Sequence, residues 1–418
     1  MIVNSVALNV GDAAILQGEI RALCEVFGGD AEIEVAEQTP TVAKRLYPAI
    51  RFHAGLHSQH AHWPRWRSHG GVASLRKRRI SLAVRLIPTA PRLARLLLSG
   101  EQRAHLDRIA AADLVVATGG TYFVEHYNFT AKADELLAAQ ALGKPTFLFT
   151  QSMGPFTRTG SQSVMRRIVA GSRGVFLRDE RSRRHLAEIG ADTSKLSVHA
   201  DAAFALATPD APRPGGAVPA RIAISVRSWS HFKSGSRADS ADRYRRAVAD
   251  AARTLARSGA EVTFLSTCQG VPEYWTDDSR YAATLVDELL AGEPNIRVDR
   301  AFRTPDALAE ALRQFDVAIA TRMHFAILAL AVATPVVAIA YEFKSRELLA
   351  SMGRESWVFD IEEVTAEGLV RATREALGGG PMLREVIAEQ VNAYRADAIR
   401  AAARIREALA VAPRAGTR

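Results

Sequence analysis

Residues 325–341, FAILALAVATPVVAIAY, form an apolar run interrupted only by Thr334 and Pro335. A chain can bury such a run in few ways. A membrane helix needs about twenty uninterrupted apolar residues. This run is shorter, and Pro335 cuts it in two. The preceding DVAIAT reads as a strand. The pattern therefore predicts a strand over 316–321, a helix over 324–333, a turn at Thr334-Pro335 and a second strand over 336–341. That is a βαβ unit buried on both faces. In such a unit the loop after the first strand lies at the carboxyl edge of the sheet, where ligands bind. Arg322, Met323 and His324 occupy that loop. They also open a helix, whose free N–H groups and dipole favour an anion. An arginine before a helix can equally snorkel into solvent. Its place between two very apolar segments, at the ligand edge, favours the functional reading.

The rest of the chain repeats the same grammar. An apolar start leads into NVGD and then a stripe of Leu16, Ile20, Leu23 and Phe27 at helical spacing. AEIEVAE, DLVVAT, KPTFLFT and GVFLRD read as strands, the last followed by the helix ERSRRHLAEIG. Strand–helix alternation means parallel sheets covered by helices. A Pro/Gly/Ala-rich stretch, ATPDAPRPGGAVPA at 207–220, has linker composition, and the pattern restarts after it with RIAISVRS. Further on, Thr304 and Pro305 suit the start of a helix carrying Leu308, Leu312 and Phe315. The expected division is a first domain at 1–206, a linker at 207–220, a second domain at 221–375 and C-terminal helices at 376–418.

A length of 418 residues fits two domains better than one core. With 48% hydrophobic and 24% charged residues the composition is that of a soluble globular protein. The only cysteines, Cys24 and Cys268, cannot build a zinc site or a disulfide framework, and no metal-ligand cluster is visible. The start, MIVNSVALNVGDAAIL, lacks a basic region and a cleavage pattern, so a cytoplasmic location is expected. The net charge of +9 is local. Between Gln38 and Gly100 there is no acidic residue, while twelve lysines and arginines fall there, among them Arg76, Lys77, Arg78, Arg79, Arg85, Arg92 and Arg95.

Several loops are further candidates. Asn9, Gly11 and Asp12 follow the first strand; Gly11 lets backbone approach a ligand, or Asp12 simply serves the helix end. There is no GxGxxG and no Walker motif, which weakens dinucleotide and P-loop readings. Gly119-Gly120 and the loop carrying Gln151 and Gly154 end buried strands; each alone reads as a tight turn, but they converge on one sheet edge. Arg227 follows the first strand of the second half. Two arginines, Arg227 and Arg322, suit a ligand bearing both phosphate and carboxylate. Lys344 is either a third cation or a solvated lysine, and Asp201 either a base or a cap.

The ordered set NVGDAAI, DLVVATGG, KPTFLFTQSMGPF, FLRDERS, HADAAF, LSTCQG, DVAIATRMH and AIAYEFK resembles the polysaccharide pyruvyl transferase family over about residues 9–353. The resemblance implies an α/β fold with two Rossmann-like domains facing across a cleft, GT-B-like. It implies transfer of the enolpyruvyl group of phosphoenolpyruvate, a co-substrate, to a sugar as a pyruvate ketal, with no metal or other cofactor. Arg322 and His324 match the family's Arg-x-His donor motif, and Arg227 matches a second donor-binding arginine. Chemistry adds that His324 is the candidate acid and Asp201 a candidate base. Asn9, Gly11, Asp12, Gly119, Gly120, Gln151 and Gly154 would face a glycan or lipid-linked glycan acceptor. The basic insertion at about 38–100 departs from the shared pattern. Its LRKRRISLAVRLIP and PRLARLLL suit helices lying on an anionic membrane, or equally a solvated helix pair covering the first sheet. Low aromatic content, 7%, and the lack of a binding module argue against nucleic acid as its partner. A nucleotide-sugar glycosyltransferase is the competing enzyme reading.

Overall fold

The computed structural model describes residues 1–59, 70–125, 127–210, 219–232 and 237–410. The predicted linker at 207–220 falls largely outside the described residues. The chain forms two compact units. The first comprises 1–8, 15–205 and 396–418; the second comprises 9–14 and 206–395. Two segments thus depart from a simple division into halves. Residues 9–14 belong with the second unit, and the long helix Gly380–Ala410 is shared, its last part belonging to the first.

The first unit is a parallel sheet of β1 (Ile2–Ser5), β2 (Glu34–Glu37), β3 (Arg51–Ala54), β4 (Val115–Ala117), β5 (Gly120–Phe123), β6 (Thr146–Met153), β7 (Gly174–Leu177) and β8 (Leu196–Val198). The strand order is β3-β2-β1-β4-β6-β7-β8, with β5 paired to β6. Strands β4, β6 and β7 are buried throughout, as continuous apolar runs require of strands covered on both faces. Two strands lie outside the predicted pattern. Gly119-Gly120 was expected to form a loop ending β4, yet Gly120 opens β5 at a φ of +138°, a conformation a side chain would strain. β3 sits inside the basic segment, at the sheet edge, where RFHA gives little pattern to read.

The second unit is a parallel sheet of β9 (Arg221–Ser225), β10 (Glu261–Phe264), β11 (Ile296–Val298), β12 (Val317–Ala320), β13 (Val336–Ala340) and β14 (Val358–Asp360). Its order is β11-β10-β9-β12-β13-β14, a doubly wound sheet that reverses direction between β9 and β12. The long apolar run lies in its middle. β12, β13 and all but the first two residues of the helix Met323–Leu330 are buried. A buried leucine or isoleucine there contributes about 1.5–3 kcal/mol. The helix stops three residues short of the expected end. Ala333 takes a φ of +57°, and the Thr334 N–H then bonds back to the Ala329 carbonyl, closing the helix before Pro335. The Thr304 cap appears as expected: its hydroxyl accepts from the Ala307 N–H, with Pro305 opening the helix Pro305–Arg313.

The helix Val10–Phe27 carries one buried charge candidate into the first unit. Glu19 is fully buried, beside Thr118 and Gly119, and burial pushes its carboxyl up to about 8. The packing is tight: a Cβ on Gly119 would meet Ile15 and the Thr150 hydroxyl at 2.7 Å. The folded protein keeps this proton up to about 8, whereas an unfolded glutamate releases it near 4.5. Between those values the native state binds more protons, so stability falls as pH rises. Glu19→Gln should remove that slope. Relative to the parent, the variant should gain up to a few kcal/mol between about pH 5 and about pH 8, at about 1.4 kcal/mol per pK unit. Urea unfolding at the two pH values measures this, and a pH-independent difference would refute the assignment.

Candidate functional site

The switch point of the second unit assembles most of the predicted donor residues. β9 and β12 are hydrogen-bonded neighbours, with Ser225 opposite Ala320. The chain leaves β9 through Val226 and Arg227, and leaves β12 through Thr321, Arg322, Met323 and His324. The two exits are tied together by Tyr244, which is buried. Its hydroxyl meets the Thr321 hydroxyl at 3.0 Å and accepts from the Arg227 N–H at 3.3 Å.

Arg322 is held by a carboxylate that the sequence reading missed. Its Nε and Nη2 donate to the two oxygens of Asp278 at 2.7 and 2.8 Å, and the Ser266 hydroxyl adds a third bond to Asp278 at 2.9 Å. Asp278 is 1% exposed. Burial pulls the Arg322 guanidinium down, but Cys268 and Asp278 more than offset this, leaving it well above its ordinary value. Burial also pushes the Cys268 thiol up to about 12, so the thiol is uncharged at neutral pH. Nη1 of Arg322 lies outside the bidentate pair. One edge of the guanidinium thus belongs to Asp278.

Arg227 is positioned by aromatic rings. Its guanidinium lies 4.3 Å from the centre of the Tyr341 ring and 5.0 Å from Trp229, and the two rings are 4.5 Å apart. Stacking fixes the plane of a guanidinium while its in-plane edges remain the donating direction. The signal for Trp229 was present in VRSWS, an aromatic two residues beyond the arginine, and Tyr341 closes the opening apolar run. Lys344 lies in the first turn of the helix Phe343–Ser351, with its ammonium 3.4 Å from Glu342; it is a paired cation rather than a solvated one.

The glycine-bearing loop at the start of the chain follows β1, as expected, but its residues 9–14 belong to this same second unit. The Val10 N–H bonds to the Thr267 carbonyl, and the Asn9 side chain accepts from the Gly11 N–H at 2.8 Å. A Cβ on Gly11 would meet His324 Cβ at 2.8 Å and Nδ1 at 3.0 Å. Gly11 is thus the residue whose missing side chain lets the loop of Asn9 and Asp12 approach His324.

The remaining predicted residues lie in the first unit. Gly119, Gly120, Gln151 and Gly154 follow β4 or line the end of β6, and Gln151 donates to the Thr118 carbonyl. Gly154 lies against His185. Asp201 is not an open base. Its Oδ2 accepts from Arg178 Nη1 and its Oδ1 from the Ala203 N–H at 3.0 Å, so the capping reading holds, with an ion pair that the sequence did not suggest. Arg178 also donates to Thr121 at 2.8 Å, which links the loop after β7 to β5. A second buried cluster joins Ser81 and His57 through the same Asp134 oxygen, at 2.7 and 2.9 Å. There the hydroxyl meets the carboxylate rather than the imidazole, which is not the order nucleophilic catalysis needs. Among the described residues, no group of three or more His, Cys, Asp or Glu side chains is placed to hold a metal.

A family profile described as polysaccharide pyruvyl transferase matches residues 9–342, most of the chain, including Arg227, Asp278, Arg322 and His324. The chain belongs to the polysaccharide pyruvyl transferase family. It is also 25% identical over 397 residues to the amylovoran biosynthesis protein AmsJ of Erwinia amylovora, covering 93% of this chain and 94% of that one. Among solved structures it is similar in fold to a putative UDP-N-acetylglucosamine 2-epimerase from Listeria monocytogenes, with a TM-score of 0.61 at 14% identity, covering 98% of this chain and 95% of that one. A glycosyltransferase from Rickettsia africae is similar at a TM-score of 0.59 and 13% identity, covering 98% of each chain. The GT-B-like α/β fold with two parallel sheets is therefore that of this pyruvyl transferase family member as well. No described helix is long and apolar enough to cross a membrane.

Proposed function

We propose that this family member moves the enolpyruvyl group of phosphoenolpyruvate onto a sugar of a surface polysaccharide, or onto its lipid- or nucleotide-linked precursor. The product is a pyruvate ketal and the leaving group is phosphate. The observation that carries the proposal is the arrangement of two arginines and a helix start at the β9/β12 switch point. Phosphoenolpyruvate is a small anion with one phosphate and one carboxylate, and it needs cations whose geometry is fixed beforehand. Arg227 is fixed by Tyr341 and Trp229, and Arg322 by Asp278. The helix Met323–Leu330 has no capping bond from its N-cap side chain, so its first-turn N–H groups suit the phosphate.

In this reading His324 donates a proton to the methylene carbon, which builds positive charge on the neighbouring carbon. One sugar hydroxyl attacks there. The phosphate leaves with the electrons of the C–O bond, and a second hydroxyl closes the ketal. The two hydroxyl protons balance the new methyl hydrogen and the proton on released phosphate. The acceptor is assigned to the loops of Gly119, Gly120, Gln151 and Gly154. The base is not Asp201, whose carboxylate is occupied by Arg178 and Ala203. The relative in amylovoran biosynthesis supports polysaccharide as the product class.

Incubation with phosphoenolpyruvate and a panel of lipid- and nucleotide-linked glycans tests this. Phosphate release should accompany a mass gain of one pyruvyl ketal on the acceptor. Nucleotide release from a nucleotide sugar, without consumption of phosphoenolpyruvate, would replace the proposal with a glycosyltransferase.

A further inference from the structure

The basic segment presents an unusual outer face in the first unit. Its two described helices beyond β3 are Gly70–Leu86 and Pro91–Leu96. The first buries Ile80, Ala83 and Val84 against the core of the unit. Further apolar side chains on the same helix are left outside that core. Val72, Leu75 and Leu82 follow one another at spacings of three and seven residues with Arg79 on the same side, while the half-buried Leu86 packs against the core. Val72, Leu75 and Leu82 are 50%, 69% and 49% exposed. The second helix adds Leu93 and Leu96, at 49% and 78%. Five of the nine large apolar side chains left exposed among the described residues therefore come from this one segment. A helix that only covers a sheet has no reason to be apolar on its outer side.

The charges around these side chains have one sign. Lys77, Arg78, Arg79, Arg85 and Arg92 are all exposed. Asp107 pairs with Arg95 of the second helix at 2.6 Å and offsets that one cation, Asp134 faces inward to Ser81 and His57, and Glu125 bonds Thr157 and the Arg158 N–H. Leucines within a field of arginines and lysines complement an interface whose surface is anionic and whose next layer is hydrocarbon. A second protein surface would need a large acidic-rimmed apolar patch, and nucleic acid offers no apolar layer to receive leucines.

We infer that this face docks on the surface of an anionic lipid bilayer. The helices lie in the plane of the interface, with Leu75, Leu82, Leu93 and Leu96 entering the acyl boundary and the cations at headgroup level. Attachment is peripheral and reversible, and it is independent of the transfer chemistry, because none of these residues belongs to the switch-point site.

Flotation of the full chain with vesicles tests the inference. Vesicles of phosphatidylcholine with phosphatidylglycerol should carry the protein, and pure phosphatidylcholine vesicles should carry much less. Raised salt should weaken binding to the anionic vesicles. The variant Leu75→Glu/Leu82→Glu/Leu96→Glu, confined to exposed positions, should bind at least about tenfold more weakly. Arg78→Glu/Arg79→Glu should also lose about tenfold or more. Met382→Glu, at an exposed apolar position in the second unit, should bind as the parent does. Equal binding to both vesicle types, or undiminished binding by the leucine variant with its circular dichroism unchanged, overturns the inference. So does a concentration-dependent dimer in analytical ultracentrifugation that the leucine variant abolishes, since a second copy would then own the face.

Discussion

Asp278→Ala should cost about 3–5 kcal/mol of stability and lower transfer by at least about a hundredfold. The alanine strands the buried Arg322 guanidinium without the carboxylate that receives its Nε and Nη2. It also leaves the Ser266 hydroxyl without that partner, at a residue 3% exposed. A buried ion pair adds little over an apolar replacement, but breaking one by deleting a single partner is expensive. Urea unfolding reads the first effect and phosphate release from phosphoenolpyruvate the second. A variant as stable and active as the parent would mean that Asp278 does not position Arg322. Asp278→Asn distinguishes charge from shape: it retains the packing and should recover part of the stability but little of the rate.

His324→Ala should abolish transfer while leaving the unfolding midpoint nearly unchanged, because the side chain opens a helix at its partly exposed first turn rather than filling the core. Loss of a general acid lowers rates by about 100- to 10,000-fold. Gly11→Ala is the informative companion. Its methyl would lie 2.8 Å from His324 Cβ, so either the loop or the histidine must move. A shift of about an ångström at a reacting group is enough for a hundredfold loss. Gly11→Ala should therefore reproduce much of the His324→Ala defect without removing any functional atom. Full activity in a folded His324→Ala variant would remove this residue from the chemistry. Full activity in Gly11→Ala would show that the approach of the two is not needed.

The two variants separate what could be read locally from what could not. Arg322 and His324 were legible because a strand, a loop and a helix occur in immediate succession, and the apolar run makes each boundary sharp. The Thr304 cap and the helix ERSRRHLAE were legible for the same reason: a cap is a relation between residues three apart. Asp278 was not legible. It lies 44 residues before Arg322, one position past the Asp277 that caps its helix, and in sequence it reads as part of that cap. Asp201 failed in the opposite direction. As a carboxylate after a strand it looked available, and only Arg178, from the neighbouring strand's exit, shows that it is taken. The basic segment was legible as charge, but its outward leucines could not be told from inward ones until one helical face was seen against the core.

Periodicity, punctuation and charge runs are properties of neighbours along the chain. They determined that this protein alternates strands with helices, that its second half carries arginines at strand ends, and that its positive excess is confined to one segment. The order of strands in a sheet is not such a property. Only the tertiary structure set β9 beside β12, and so put the strand exits carrying Arg227 and Arg322 side by side, although the paired residues are about 95 positions apart along the chain. It also laid the Gly11 loop on His324 and assigned residues 9–14 to the second unit. The energy that decides these pairings comes from burying whole faces and satisfying charges across them, and no single stretch of the sequence contains both sides of either.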